Sequence, residues 1–248
     1  DLVVTLDAKD ANGNNIQVTI PAGTLANTVI TSPEFVINNV EDVYVDGSSF
    51  TVSVTGTNNN PTQTDNFEAL DTRDTGTVTV NDTTTTGTAI ILGDVIVSEG
   101  GTAKIGVSVN ADTKVDLVVT LDAKDANGNN IQVTIPAGTL ANTVITSPEF
   151  VINNVEDVYV DGSSFTVSVT GTNNNPTQTD NFEALDTRDT GTVTVNDTTT
   201  TGTAIILGDV IVSEGGTAKI GVSVNADTKV DLVVTLDAKD ANGNNIQV

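Results

Sequence analysis

The sequence predicts an all-β protein made of tandem immunoglobulin-like β-sandwiches in an extended array. Three observations predict it: a domain-length internal repeat, segments of Thr and Val in which apolar and polar residues alternate, and turn residues about every ten positions. Seven or eight short alternating strands in about 110 residues are typical of an immunoglobulin-like sandwich.

The repeat is identical at every position. The stretch DLVVTLDAKDANGNNIQV begins at Asp1, Asp116 and Asp231, so 1–115 equals 116–230, and 231–248 begins a third copy. A unit of 115 residues is the size of a domain, whereas solenoid repeats are shorter and need their neighbours to form a core. We therefore expect each unit to fold alone and the chain to be a stretch of a longer tandem array.

The strand signal is a period of two. Its clearest segments are TAKIGVSV (102–109), DLVVTL (116–121), NIQVTI (130–135), FTVSVTG (165–171) and TGTVTV (190–195). Candidate turns between them are Glu99-Gly100-Gly101, Asn127-Gly128, Pro136-Ala137-Gly138 and Asp161-Gly162. Asn-Gly between two alternating runs predicts a β-hairpin. No segment keeps a helical period over three turns, so no helix is predicted.

The run NDTTTTGT (81–88 and 196–203) is the candidate linker between units. The predicted domains are the later strands of one repeat (1–87), a complete repeat (88–202) and the first strands of another (203–248). Four consecutive β-branched Thr residues favour an extended backbone, which predicts a short and fairly stiff connection. An ordinary solvated connector is the alternative.

Composition excludes several classes of function. The chain has no Cys and no His, so the common zinc sites and the Ser-His or Cys-His nucleophiles cannot form. It has no long apolar run and no basic-then-apolar start, so we expect neither a membrane contact nor a signal peptide within it. Its net charge of −24 would repel nucleic acid. A glycosidase would need paired carboxylates, but nothing marks one as buried, so we expect neither an enzyme nor a small-molecule substrate.

Each repeat carries 15 acidic and 4 basic residues, and the acidic residues gather at predicted turns. Ca²⁺ takes six to eight oxygen ligands, which clustered carboxylates and loop carbonyls supply. One candidate cluster is Glu156, Asp157 and Asp161. A second is Asp180, Glu183, Asp186 and Asp189. Solvated turns are the alternative, because Asp, Asn and Gly favour turns for backbone reasons alone.

A third cluster would form if the linker brought Asp197 of one unit near Asp209 and Glu214 of the next. The same residues one repeat earlier are Asp82, Asp94 and Glu99. A fourth candidate, Asp122, Asp125 and Asn127, resembles the start of a calcium loop, but it lacks an acidic closing ligand and flanking helices. A plain hairpin turn is the favoured interpretation there.

In this frame the unit resembles the extender repeats of large RTX-type biofilm and surface adhesins of Gram-negative bacteria and, more distantly, Calx-beta domains. The residues that carry the resemblance are VIVSEGGTAKIGVSV (95–109), NIQVTIPAGT (130–139), NVEDVYVDGSSFTVSVTG (154–171) and NFEALDTRDTGTVTVND (181–197). The resemblance covers the whole unit.

The resemblance implies calcium-stabilised sandwiches strung between a membrane anchor and a distal ligand-binding region, outside the cell. Each unit would then have its identical neighbours as partners. The alternative function is a multivalent module that binds carbohydrate or surfaces, since avidity also favours repeated copies. Sugar-binding faces usually expose aromatic rings, whereas Phe35, Tyr44, Phe50 and Phe67 are the unit's aromatic residues, and Phe alternating with Val is typical of a core.

Overall fold

The computed structural model describes residues 1–248, and every regular element in it is a β-strand, which confirms the all-β prediction. The first unit contains β1 (Leu2–Lys9), β2 (Asn15–Ile20), β3 (Ser48–Thr57) and β4 (Thr75–Val80). The third contains β15 (Ile205–Leu207), β16 (Val222–Val224), β17 (Thr235–Lys239) and β18 (Asn245–Gln247). No helix long and apolar enough to cross a membrane is present.

The central unit contains ten strands in two layers. They are β5 (Ile90–Leu92), β6 (Val95–Ser98), β7 (Thr102–Ala103), β8 (Gly106–Val109), β9 (Leu117–Lys124), β10 (Asn130–Ile135), β11 (Ile145–Thr146), β12 (Phe150–Val151), β13 (Ser163–Thr172) and β14 (Thr190–Asn196). One layer is a five-stranded sheet of order β10-β9-β13-β14-β6, and the other consists of β11-β8-β5 with the short pair β12-β7. The sandwich architecture is therefore as predicted, while its immunoglobulin-like topology stays a prediction.

Alternation along the strands positions the core between the layers. In β9 the residues at odd positions from Leu117 to Ala123 are buried, and β10 buries Ile131, Val133 and Ile135. The two strands pair antiparallel through the predicted turn, where Gly128 has a φ of +83°. A left-handed backbone of this kind favours glycine.

The predicted strand at 102–109 is divided. Its first part, β7, pairs with β12 through Ala103 and Phe150, and its second part, β8, pairs with both β5 and β11. The division falls at Lys104–Ile105, where the chain leaves one partner strand for another. A period-two pattern continues through such a change of partner, so the sequence alone predicts a single strand.

The core belongs to the central unit. The buried apolar cluster has 20 residues, and all but Tyr44 lie between Ile90 and Val195. In the first unit β1 has the same sequence as β9 but is only half-buried, because its sheet has no second layer opposite it. Identical strands thus differ in burial because a facing sheet is present in one case only.

Candidate metal centre

Three carboxylates of the central unit meet at one end of its five-stranded sheet. Glu99, Asp161 and Asp197 each offer one oxygen, and these oxygens lie within 4.8 Å of one another. They are the only group of three or more acidic residues in residues 1–248 that converges in this way. Such a group can hold a metal ion.

Strand direction brings these residues together. In this sheet β6 and β14 are neighbours and run parallel, and Ser98 lies beside Asn196. The residues that follow the two strands therefore emerge at the same end of the sheet. The Glu99 backbone N–H donates to the Asn196 carbonyl at 3.1 Å. Asp161 precedes β13, which is antiparallel to β14, and its backbone N–H approaches Asp197 Oδ1 at 3.4 Å.

Glu99 is the buried member of the group, with 5% of its surface exposed. Its Oε1 accepts the Thr198 backbone N–H at 3.0 Å, whereas Oε2 is buried without any hydrogen-bond partner. The Thr198 N–H is the largest influence and lowers the pKa of Glu99, but burial and the charges of Asp197 and Glu156 together raise that pKa above its ordinary value. A buried carboxylate oxygen without a donor is costly, and a cation would remove that cost.

Gly100 allows the turn after Glu99 to approach Glu156. It has a φ of +71°, and a Cβ at this position would lie 2.9 Å from the Cβ of Glu156. Glu156 accepts hydrogen bonds from the hydroxyls of Thr198 and Thr200, and these bonds lower its pKa. The hydroxyls of these two linker threonines are therefore bound by a carboxylate of their own unit.

The first predicted cluster is divided between two environments. Asp161 belongs to the group of three, and Glu156 lies close enough for its charge to affect Glu99. Asp157 faces the next unit instead: its Oδ1 accepts the Tyr159 backbone N–H at 2.7 Å, and its Oδ2 lies 3.7 Å from Lys229 Nζ. A role of Asp157 as a ligand stays a prediction.

The carboxylates of the second predicted cluster bind different groups. Asp186 binds the Arg188 guanidinium through both oxygens, which lowers the pKa of Asp186 to about 2. Asp189 accepts the Leu92 backbone N–H at 2.9 Å. Asp180 lies at the turn before β14 with a φ of +66°, and it is exposed. The structure does not gather these carboxylates at one point.

The predicted linker cluster is arranged differently from the expectation. Glu99 lies with Asp197 of its own unit rather than with Asp82 of the preceding one, because β6 and β14 are parallel neighbours. Asp94 lies at the other end of β6 and accepts the Thr192 N–H at 2.7 Å. Asp209 and Glu214 are exposed in the third unit and are not part of the group.

The hairpin carboxylate Asp125 closes its own turn. Its Oδ1 accepts the backbone N–H groups of Asn127 and Asn129 at 2.8 and 2.9 Å, and Asn129 also binds it through the side chain. These bonds, led by those from Asn129, lower the pKa of Asp125. Asp122 accepts the Ser168 N–H at 2.9 Å. These contacts agree with a plain hairpin turn.

Asp82 lies beside a second buried carboxylate, Glu183 of the central unit. Glu183 is 8% exposed; its Oε2 accepts the Thr85 backbone N–H at 2.5 Å, and its Oε1 is buried without a partner. Burial above all, with a further contribution from Asp82, raises the pKa of Glu183. Because Thr85 and Asp82 precede the central unit, this contact crosses the junction between two repeats.

The same junction holds an aromatic contact that the sequence analysis missed. The Tyr44 ring stacks on Phe182 with centroids 5.5 Å apart, and its hydroxyl donates to the Asp112 carbonyl. Lys114 Nζ lies 3.7 Å from the centre of the Tyr44 ring. The signal in the sequence is that each full repeat has one Tyr, but nothing in the sequence pattern indicates that it contacts a neighbouring unit.

Comparison with known proteins finds a family model that matches the central unit, in which the three carboxylates lie. Residues 86–198 match the LapA domain family model. The LapA domain is a family related to biofilm adhesins, so the match supports a relation to biofilm surface adhesins and a cell-surface protein. The matched segment contains all three converging carboxylates. No curated protein shows a significant match to the chain.

Proposed function

We propose that this chain is part of the extender region of a large RTX-type adhesin, in which tandem sandwiches stiffened by calcium hold a distal ligand-binding region away from a Gram-negative cell. The observation that carries the proposal is the buried, unpartnered Oε2 of Glu99 in a group of three carboxylates within the segment that matches the LapA domain model. Identical copies in series add length without adding new chemistry.

The donor set favours calcium over other ions. Ca²⁺ binds several carboxylate and carbonyl oxygens in flexible geometry, whereas Mg²⁺ prefers a strict octahedron and keeps its water. Glu99, Asp161 and Asp197 supply only carboxylate oxygens. Each repeat also has a net charge of −11, and divalent ions would relieve the resulting repulsion.

In an array the centre would include the following repeat. Asp82 is the copy of Asp197 one repeat earlier, and Glu183 of the next unit lies beside it. Because the repeats are identical, a following unit would bring its own copy of Glu183 to Asp197. The cation would then have ligands on both sides of the junction, and binding it would stiffen the connection between units.

The domain unit that we propose is the 88–202 repeat, with the threonine run as its linker. The linker contacts support a stiff connection, because Thr85 donates to Glu183 of the following unit while the hydroxyls of Thr83 and Thr85 bind Glu41 of the preceding one. Phe150 and Phe182 are buried in the central unit, which favours an extender over a carbohydrate-binding face.

The proposal is tested by melting the chain in chelator, in millimolar Ca²⁺ and in millimolar Mg²⁺. A ligand at 100 times its Kd stabilises the folded form by about 2.7 kcal/mol, so calcium should raise the Tm of the central unit and magnesium should raise it much less. Asp161→Asn should abolish most of the calcium effect.

The matched control is Asp46→Asn, the same substitution one repeat earlier, where no copy of Glu99 precedes it in the chain. The control should keep the calcium response of the central unit. Equal melting curves in chelator and calcium would remove the calcium proposal.

A further inference from the structure

The junction between the first and central units is built largely from contacts that need no cation. Val45 N–H donates to the Asn181 carbonyl at 2.9 Å, and the N–H groups of Asp180 and Glu183 donate to the carbonyls of Val45 and Val43, both at 3.1 Å. Tyr44 lies directly opposite Phe182 in this antiparallel pairing. A short segment of one repeat thus pairs with a loop of the next through a single β-bridge.

The aromatic contact fills the centre of this pairing. Tyr44 is 9% exposed between Phe182 and Lys114, and burial raises the pKa of its hydroxyl. Stacked rings and a cation over a ring are both stabilising when they are shielded from water. The ion pair between Lys114 and Asp42, at 3.5 Å, is half-exposed and adds little.

The hydrogen bond and the lysine contact of this tyrosine, but not the stacking, recur at the junction between the central and third units. Tyr159 donates to the Asp227 carbonyl at 2.6 Å, and Lys229 Nζ lies 3.5 Å from the centre of its ring. Phe182 has no copy after it in this chain, and Tyr159 is only half-buried. The comparison indicates that the stacking partner is what buries the tyrosine.

We propose that Tyr44 and Phe182 form a lock that holds consecutive repeats in one orientation without a bound cation. Its partner is the next copy of the same repeat, through the surface formed by Asp112, Lys114 and the loop 180–183. The linker keeps the two surfaces at a high effective concentration, so contacts of modest strength suffice. The cation centre then adds stiffness to a junction that is already docked.

The test uses the full chain in chelator. Because the chain has no Cys, Ala11→Cys and Ala126→Cys introduce a single pair of spin labels at exposed turns of the first and central units. The lock predicts one narrow distance distribution between the labels. Tyr44→Ala should lose that narrow peak, whereas Tyr44→Phe, which keeps the ring and loses only the bond to Asp112, should retain it.

Tyr159→Ala is the matched control, because it removes the same side chain at the junction without a stacking partner, and it should leave the distribution unchanged. A broad distribution for the unsubstituted chain in chelator that narrows only with calcium would overturn the lock. A Tyr44→Ala chain as narrow as the unsubstituted one would also overturn it. The lock is judged by the distance distribution in chelator, whereas the calcium proposal is judged by the Tm in calcium, so failure of the lock and failure of the calcium proposal are distinguishable.

Discussion

The backbone N–H of Thr198 donates to Oε1 of Glu99 at 3.0 Å, while the other oxygen of that carboxylate is buried without a partner. In the absence of a cation, the charge on Glu99 opposes folding, since its pKa is raised in the folded chain. A bound cation would make the same charge favour folding.

Glu99→Gln should therefore change stability in opposite directions in the two conditions. In chelator the neutral amide keeps an acceptor for Thr198 and removes the buried charge, so the Tm should rise; in calcium the variant should melt below the unsubstituted chain. Glu214→Gln, the same change at an exposed copy one repeat later, should do neither. A Glu99→Gln chain that is less stable in chelator as well would show that the charge is already compensated.

The chelated chain should also show a pH dependence that belongs to Glu99. A carboxyl whose folded pKa is raised destabilises the folded state above that pKa, and the penalty vanishes below the unfolded value, which is 4.5 for Glu. The Tm difference between Glu99→Gln and the unsubstituted chain should be largest at about pH 7 and should disappear near about pH 4. A difference that is constant with pH would contradict the raised pKa.

Gly191→Ala should destabilise the central unit. A Cβ at position 191 would lie 2.3 Å from Ile105 Cδ1 and 2.6 Å from the Gly93 carbonyl oxygen, so the Ile105 side chain and the Gly93 backbone would have to shift. Overpacking of this kind typically costs about 1–3 kcal/mol. Gly76→Ala is the same substitution one repeat earlier, where nothing lies within 4 Å, and it should be nearly neutral in denaturant unfolding.

Loss of a hydroxyl from the threonine run should change the pKa of Glu156 only at alternate positions of the run. Thr198 and Thr200 donate to Glu156 and lower its pKa, whereas the side chains of Thr199 and Thr201 make no hydrogen bond. Replacing Thr198 and Thr200 together by Val should return the Glu156 pKa toward its ordinary value, as measured by NMR titration. Replacing Thr199 and Thr201 by Val should leave that pKa unchanged; an equal effect from both pairs would contradict the alternation.

The hairpin carboxylate should stabilise the fold independently of calcium. Asp125 accepts three hydrogen bonds within its own turn. Asp125→Ala should lower the Tm by a similar amount in chelator and in calcium, because its oxygens are committed to Asn127 and Asn129. A loss that appears only in calcium would restore the hairpin as a metal site.

The sequence predicts the strands well because alternation reports which face of a strand is buried. It predicts β9, β10, β13 and β14 closely, together with the turn at Asn127-Gly128. Alternation carries no information on strand partners, so the sequence does not reveal that β6 lies parallel to β14, and it groups Glu99 with Asp82 instead of Asp197. For the same reason the sequence does not reveal that Tyr44 contacts the next unit.

Each repeat carries the Tyr44-type segment at one end and the surface that receives it at the other, so the contact is heterologous and can continue indefinitely in one direction. A gene that gains or loses whole copies of the 115-residue repeat therefore creates no new kind of junction. The length of the repeat array can change by recombination alone, without any compensating substitution. A deletion that is not a multiple of the repeat would instead bring together ends that do not match.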